Sequence, residues 1–154
     1  MTRKELIKNL VKYFKIEELV CPHTMKAFGE GSWRFLDKNL LIFLLWFRET
    51  IDRPITINNY HIGGSLSQRG NRCILCDLVK SKVLKNRIYL SEHLLGSAFD
   101  CNVKGMSSKD VENWLEEHKN ELPVPIRLER NTNGWSHIGF RVTDDTVPIE
   151  YFNG

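Results

Sequence analysis

The segment Ser91-Glu92-His93-Leu94-Leu95-Gly96-Ser97-Ala98-Phe99-Asp100 sets an imidazole before a tight glycine-containing turn and a carboxylate seven residues later. A second imidazole, His137, lies in Trp135-Ser136-His137-Ile138. Imidazole and carboxylate are ligand types that catalytic zinc takes, and three protein ligands leave a fourth position open for water. Water held there has its pKa lowered from 15.7 to about 7, so hydroxide forms at neutral pH. The same residues also fit a plainer role. A strand histidine is most often a hydrogen-bonded core residue, and a strand aspartate is often structural. Spacing alone leaves both readings open.

Four cysteines, Cys21, Cys73, Cys76 and Cys101, are the other reactive groups. Cys73-x-x-Cys76 is the right spacing for half of a zinc site, and Cys21-Pro22-His23 offers a second half. The separation between the two pairs is not a known finger spacing, so ordinary reduced cysteines are the expectation. A thioredoxin-like redox pair fits less well, because no clear strand leads into the motif.

The elements that must position these groups follow from periodicity. Thr2-x-x-Glu5 is a capping box, and Leu6, Ile7, Leu10, Val11 and Phe14 predict a helix to about Lys15. Residues 16–35, broken by Pro22, Gly29 and Gly31, read as loop-rich. Asp37 caps a second helix ending near Thr50, apolar almost all round and therefore central; Leu40, Leu41, Leu44 and Phe47 should be fully buried. Ile55-Thr56-Ile57 starts a strand expected to reach Tyr60. Residues 61–72 form a long polar loop, of the kind that often carries function. Ile74, Leu75, Leu78, Val79 and Val83 fit a short amphipathic helix. Ala98–Val103 reads as a strand, and Ser107-x-x-Asp110 opens a helix burying Val111, Trp114 and Leu115. Ile126–Arg130 and Trp135–Val142 are strands joined by a turn at Asn131-Thr132-Asn133-Gly134. Thr143–Gly154 reads as a surface tail. The expectation is one α+β domain over residues 1–154: a small antiparallel sheet with helices packed on one side.

Ser-x-His-x-x-Gly-x-Ala-x-Asp followed by a Trp-x-His strand resembles the zinc-dependent D-alanyl-D-alanine carboxypeptidase family. Its relatives include phage L-alanyl-D-glutamate endolysins and the Hedgehog signalling domain. The likeness runs over roughly residues 17–142 and is strongest to short, phage-type members. It implies a Hedgehog/DD-peptidase-like fold, Zn2+ as cofactor, and His93, Asp100 and His137 as its ligands. Pro54-Ile55-Thr56-Ile57-Asn58-Asn59-Tyr60-His61 resembles a family strand that usually ends Ser-Gly-Tyr-Arg, so His61 stands where an arginine that contacts substrate is expected. Arg69 or Arg72, in Ser67-Gln68-Arg69-Gly70-Asn71-Arg72, can supply the missing guanidinium, whose fork of donors matches a peptide carboxylate. A solvated loop arginine is the plainer alternative for each.

Familiar members carry Glu-x-x-His before the final ligand, a slot that Gly134 fills here. The nearest carboxylate is Glu129, and hairpin register decides whether it can serve. A three-residue loop, Thr132-Asn133-Gly134, pairs Glu129 with His137 on one face, with Cβ atoms about 4.5–5.5 Å apart. A two-residue Asn133-Gly134 turn sets Arg130 against His137 and turns Glu129 away. Both suit the sequence; the first is favoured, because a carboxylate beside a metal-binding histidine is useful. Otherwise Glu129 is an exposed strand charge paired with Arg127 or Arg130.

The expected function is hydrolysis of peptidoglycan stem peptides, with Glu129 moving the proton. The alternative is a non-catalytic phage virion or accessory protein retaining the fold. Net charge is +3, from 22 basic and 19 acidic residues. That is too mild for a nucleic-acid-binding domain, which shows a strong basic excess. The run Arg69, Arg72, Lys80, Lys82, Lys85 and Arg87 reads as a solvated face rather than a steering patch. The longest apolar run, Leu40–Phe47, is far short of the ~20 residues that span a bilayer, so no membrane partner is expected. No signal-peptide pattern opens the chain, which suits a monomeric protein of the host cytoplasm awaiting release, or of a phage virion. His23 reads as structural and His118 as a helix-end imidazole.

Overall fold

The computed structural model describes residues 1–154. The first helix, α1 (Arg3–Leu10), starts as its capping box requires: Thr2 Oγ1 accepts from the Glu5 amide, and the Glu5 carboxylate accepts from the Thr2 amide at 2.7 Å. It stops short of Lys15, because turns from Val11 onward swing Phe14 into the core without continuing the helix. Residues 16–35 are more ordered than their sequence suggests. Two 3-10 turns, Ile16–Glu18 and Gly29–Phe35, flank a short helix α2 (Pro22–Phe28), which opens on proline at a position needing no amide donor. Asp37 accepts from Asn39 N at 2.8 Å and starts α3 (Lys38–Ile51).

α3 is the central helix. Leu40, Leu41, Leu44 and Phe47 are 0–2% exposed, as its apolar run predicts. Phe43 lies against Phe99 and Phe140, and Phe47 against Trp114. A core of 27 residues gathers around it from nearly every element. It reaches β1 (Ile55–Thr56), β2 (Ala98–Val103), α5 (Ser108–Glu117), β3 (Ile126–Arg130) and β4 (Ser136–Gly139), but not α4 (Asp77–Val83).

β1 ends at Thr56, not near Tyr60. Asn58 takes over the local hydrogen bonding: its Nδ2 donates to Val20 O and its Oδ1 accepts from Arg69 N. Asn59 Oδ1 likewise accepts from Leu66 N. Asn side chains that bond nearby backbone compete with strand pairing in this way. α4 departs from its expected amphipathic packing, since Val79 alone is buried while Ile74, Leu75, Leu78 and Val83 are exposed.

Thr143–Gly154 is not a surface tail. A fifth strand, β5 (Ile149–Asn153), pairs in parallel with β3 from Ile126↔Ile149 to Arg130↔Asn153. Alternation explains it: Ile149 and Tyr151 pack on the core, while the Glu150 carboxylate meets Arg127 at 3.1 Å. The sheet order is β1-β2-β4-β3-β5, so the α+β expectation holds but the sheet is mixed, not wholly antiparallel. No helix is long and apolar enough to cross a membrane.

Candidate metal centre

His93 enters the site from a turn that only glycine permits. Gly96 has φ +68°, and a Cβ there would meet Phe35 O at 1.9 Å. The turn leaves His93 4% exposed, with Nδ1 2.9 Å from the Gly70 carbonyl oxygen. A carbonyl only accepts, so Nδ1 carries a proton and Nε2 is the ring nitrogen turned toward the other two groups. Nε2 lies 3.3 Å from Asp100 Oδ1 and 3.2 Å from His137 Nδ1.

Asp100 on β2 and His137 on β4 are directly paired, so they share a sheet face. His137 Nδ1 and Asp100 Oδ1 are 2.7 Å apart. Ser136 and Ile138, on the opposite face, are buried. Three ligand atoms from three separate stretches of chain thus meet at one point. Burial pushes the His137 imidazole down, but hydrogen bonds to Asp100 and Glu92 and the charges of Asp100 and Glu129 win and raise it to about 9. Burial raises the Asp100 carboxyl, yet the two imidazoles hold it well below the usual carboxylate range.

β3 and β4 pair as Arg127↔Gly139 and Leu128↔Ile138. One further step in that register sets Glu129, not Arg130, across from His137. This is the register of the three-residue loop, with Gly134 at φ +92° and Asn131 also left-handed at +60°. Glu129 lines a cavity of about 530 Å³ together with His93, Asp100, His137, Arg69 and Arg72.

The two arginines differ. Arg72 is engaged on every side: Nε donates to Gln68 O at 2.6 Å, Nη1 to Tyr89 Oη at 3.0 Å, and Nη2 lies 3.5 Å from Asp100 Oδ2. The Arg69 guanidinium donates to Asn102 Oδ1 alone. His61 does not reach the cavity. Its ring stands edge-on to Tyr60, and its buried Nδ1 has no partner.

Two supporting groups had little sequence signal. Glu92 Oε1 accepts from the Arg141 amide at 2.7 Å, and Oε2 lies 3.9 Å from His137 Nε2. Gly139 makes its room, since a Cβ there would fall 2.1 Å from Glu92 Oε2. Adjacency to His93 is the one hint the sequence offers. The Gly70 carbonyl, being backbone, leaves no trace in residue type.

A second group forms away from the cavity. Cys21, His23, Cys73 and Cys76 present ligand atoms that all lie within 4.8 Å of one another, so the chain has two groups able to hold a metal ion. All four cysteines are free thiols, as expected, and three of them gather around His23. A hydrogen bond from Cys76 lowers the Cys21 thiol, and the same contact raises that of Cys76. Comparison with protein-family models, with curated proteins and with solved structures returns no match to this chain.

Proposed function

We propose that this chain is a zinc metallopeptidase hydrolysing peptidoglycan stem peptides, with His93, Asp100 and His137 as metal ligands and Glu129 as the acid–base group. The observation that carries it is the meeting of three ligand atoms at the floor of a cavity whose wall also bears Glu129. The donor set fits zinc. Bonds of 2.0–2.2 Å in a tetrahedron imply ligand–ligand edges of about 3.3–3.6 Å. The His93–His137 and His93–Asp100 edges are 3.2 and 3.3 Å, and the shorter His137–Asp100 edge is a hydrogen bond that a metal would replace.

Zinc bound there would polarise a peptide carbonyl and make water acidic at neutral pH. The chain's own residues do the rest. The Gly70 carbonyl fixes the His93 tautomer, and Glu92 faces the outer nitrogen of His137; such partners orient metal ligands. Glu129 takes up a proton at its carboxylate and returns it to the leaving amine. Arg69, with a single side-chain contact, is free to bind a peptide carboxylate, while Arg72 balances the charge of Asp100. The choice of stem peptides as substrate rests on the motif resemblance around His93 and His137.

The test is digestion of purified peptidoglycan, with released peptides read by mass spectrometry and bound zinc by elemental analysis. Wild type should release stem peptides, and His93→Ala should lose about one zinc and all release. Zinc-loaded wild type that cuts no stem-peptide chemistry would favour the non-catalytic phage accessory reading. Full zinc retention by His93→Ala would refute the ligand set.

A further inference from the structure

The polar stretch 61–76 and the segment after it are poorly held by apolar packing. The main core contains no residue between Ile57 and Phe99. A separate cluster of just three buried residues, Cys21, Cys76 and Val79, lies under this segment. Ile74, Leu75, Leu78, Val83, Leu84, Ile88 and Leu90 all face solvent. Apolar burial therefore does not explain why the segment is ordered beside the cavity.

We propose that Cys21, His23, Cys73 and Cys76 form a second zinc site, closed by four protein ligands, that clips the cavity loop to the start of α2. The distances suit it. Zn–S bonds of 2.3 Å in a tetrahedron separate two sulfurs by about 3.8 Å, and a sulfur from an imidazole nitrogen by about 3.6 Å. Cys73 Sγ and Cys76 Sγ are 4.0 Å apart; His23 Nδ1 is 3.6 Å from the first and 3.9 Å from the second. A disulfide needs about 2.05 Å between sulfurs and leaves the histidine without a role.

The backbone is also arranged for thiolates. The Leu75 amide donates to Cys73 Sγ and the Cys73 amide to Cys76 Sγ, each at 3.4 Å. Both bonds leave the sulfurs as acceptors, the state a metal ligand must have. Four ligands leave no open position, which marks a structural and not a catalytic site.

The clip acts on the first site through main chain. The Cys21 amide donates to Asn71 O, and the Asn71 amide to Leu19 O at 2.8 Å. Gly70 is pressed against that backbone, where a Cβ would lie 2.2 Å from Leu19 O. The same short stretch supplies the Gly70 carbonyl that holds His93 and the Arg72 guanidinium that meets Asp100. Fixing Cys73 to Cys21 therefore fixes the supports of the first site.

The cysteine site can be tested without any peptidase activity. Chain stripped of metal and titrated with cobalt(II) should take up about two ions, at least one giving a thiolate-to-cobalt charge-transfer absorption. Cys73→Ser/Cys76→Ser should lose that absorption, and His93→Ala should keep it. His23→Cys, which retains four ligands, should keep it too and guards against misfolding of the double variant. Wild type that binds a single cobalt without charge-transfer absorption, with its cysteines open to thiol reagents before and after metal addition, overturns the site.

Discussion

Glu129 and His137 lie on the two arms of one hairpin, and register alone decides whether they share a face. The role of Glu129 depends on which hairpin loop forms, because a one-residue slip turns every side chain to the other face. Arg127↔Gly139 and Leu128↔Ile138 direct Glu129 to the side of His137. Glu129→Gln keeps size and strand pairing but cannot accept a proton. A general base contributes typically 10²–10⁴-fold. The variant should keep its zinc and its melting temperature and lose about two orders of magnitude or more in stem-peptide release. Near-normal release would assign proton transfer elsewhere, and His61, away from the cavity, is not a candidate. His93, Asp100 and His137 were legible as one group through the motif resemblance, since spacing alone left a structural role equally open, and the fold does bring the three together. Glu92 and the Gly70 carbonyl were not legible, since their work lies in where a carboxylate folds back and where a backbone oxygen points. Arg72 was legible as a cavity residue, yet its engagement with Gln68, Tyr89 and Asp100 required the folded loop.

At the level of elements, α3 was the plainest reading, because an apolar run of that density has no solvent face to offer. Leu44 is 0% exposed within the aromatic centre of the core. Leu44→Ala should destabilise the fold by about 2–5 kcal/mol, measured as a shift in urea midpoint at unchanged m-value. A cost under about 1 kcal/mol would mean that the surrounding side chains collapse into the space. The short and late elements were less legible. β1 is cut to two residues by the side chains of Asn58 and Asn59, which local pattern cannot foresee. β5 hides behind polar Thr143–Thr146, and its Glu150 looks solvated until Arg127 and the Thr143 amide are seen to meet it. α4 is the reverse case: its helical spacing is real, but Val79 is the one residue with something to pack against.

Across the whole molecule, the residues of the two candidate metal groups stand outside the apolar core, although Asp100 and His137 lie on strands whose other face builds it. None of Cys21, His23, Cys73, Cys76, His93, Asp100 or His137 belongs to the 27-residue core, which is assembled chiefly from α1, the turns between Phe14 and Leu36, α3, α5 and the sheet. Metal binding is folding energy where the ligands order a segment that packing does not. Elements with their own buried area keep their stability without it, and local opening follows local contact density. Chelation should therefore act unevenly. Hydrogen exchange on chelated protein should leave amides of α3 and β2–β4 protected, with far-ultraviolet dichroism nearly unchanged. Amides of residues 63–95 should exchange faster, beginning with Asn71 and Cys76, whose hydrogen bonds to Leu19 O and Cys73 O lie next to the cysteine ligands. Zinc added back should restore protection in wild type. In Cys73→Ser/Cys76→Ser it should not, even where the His93 site reloads. Loss of protection throughout would mean that the core depends on the metal after all. Equal protection with and without metal would mean that backbone bonds alone hold the loop.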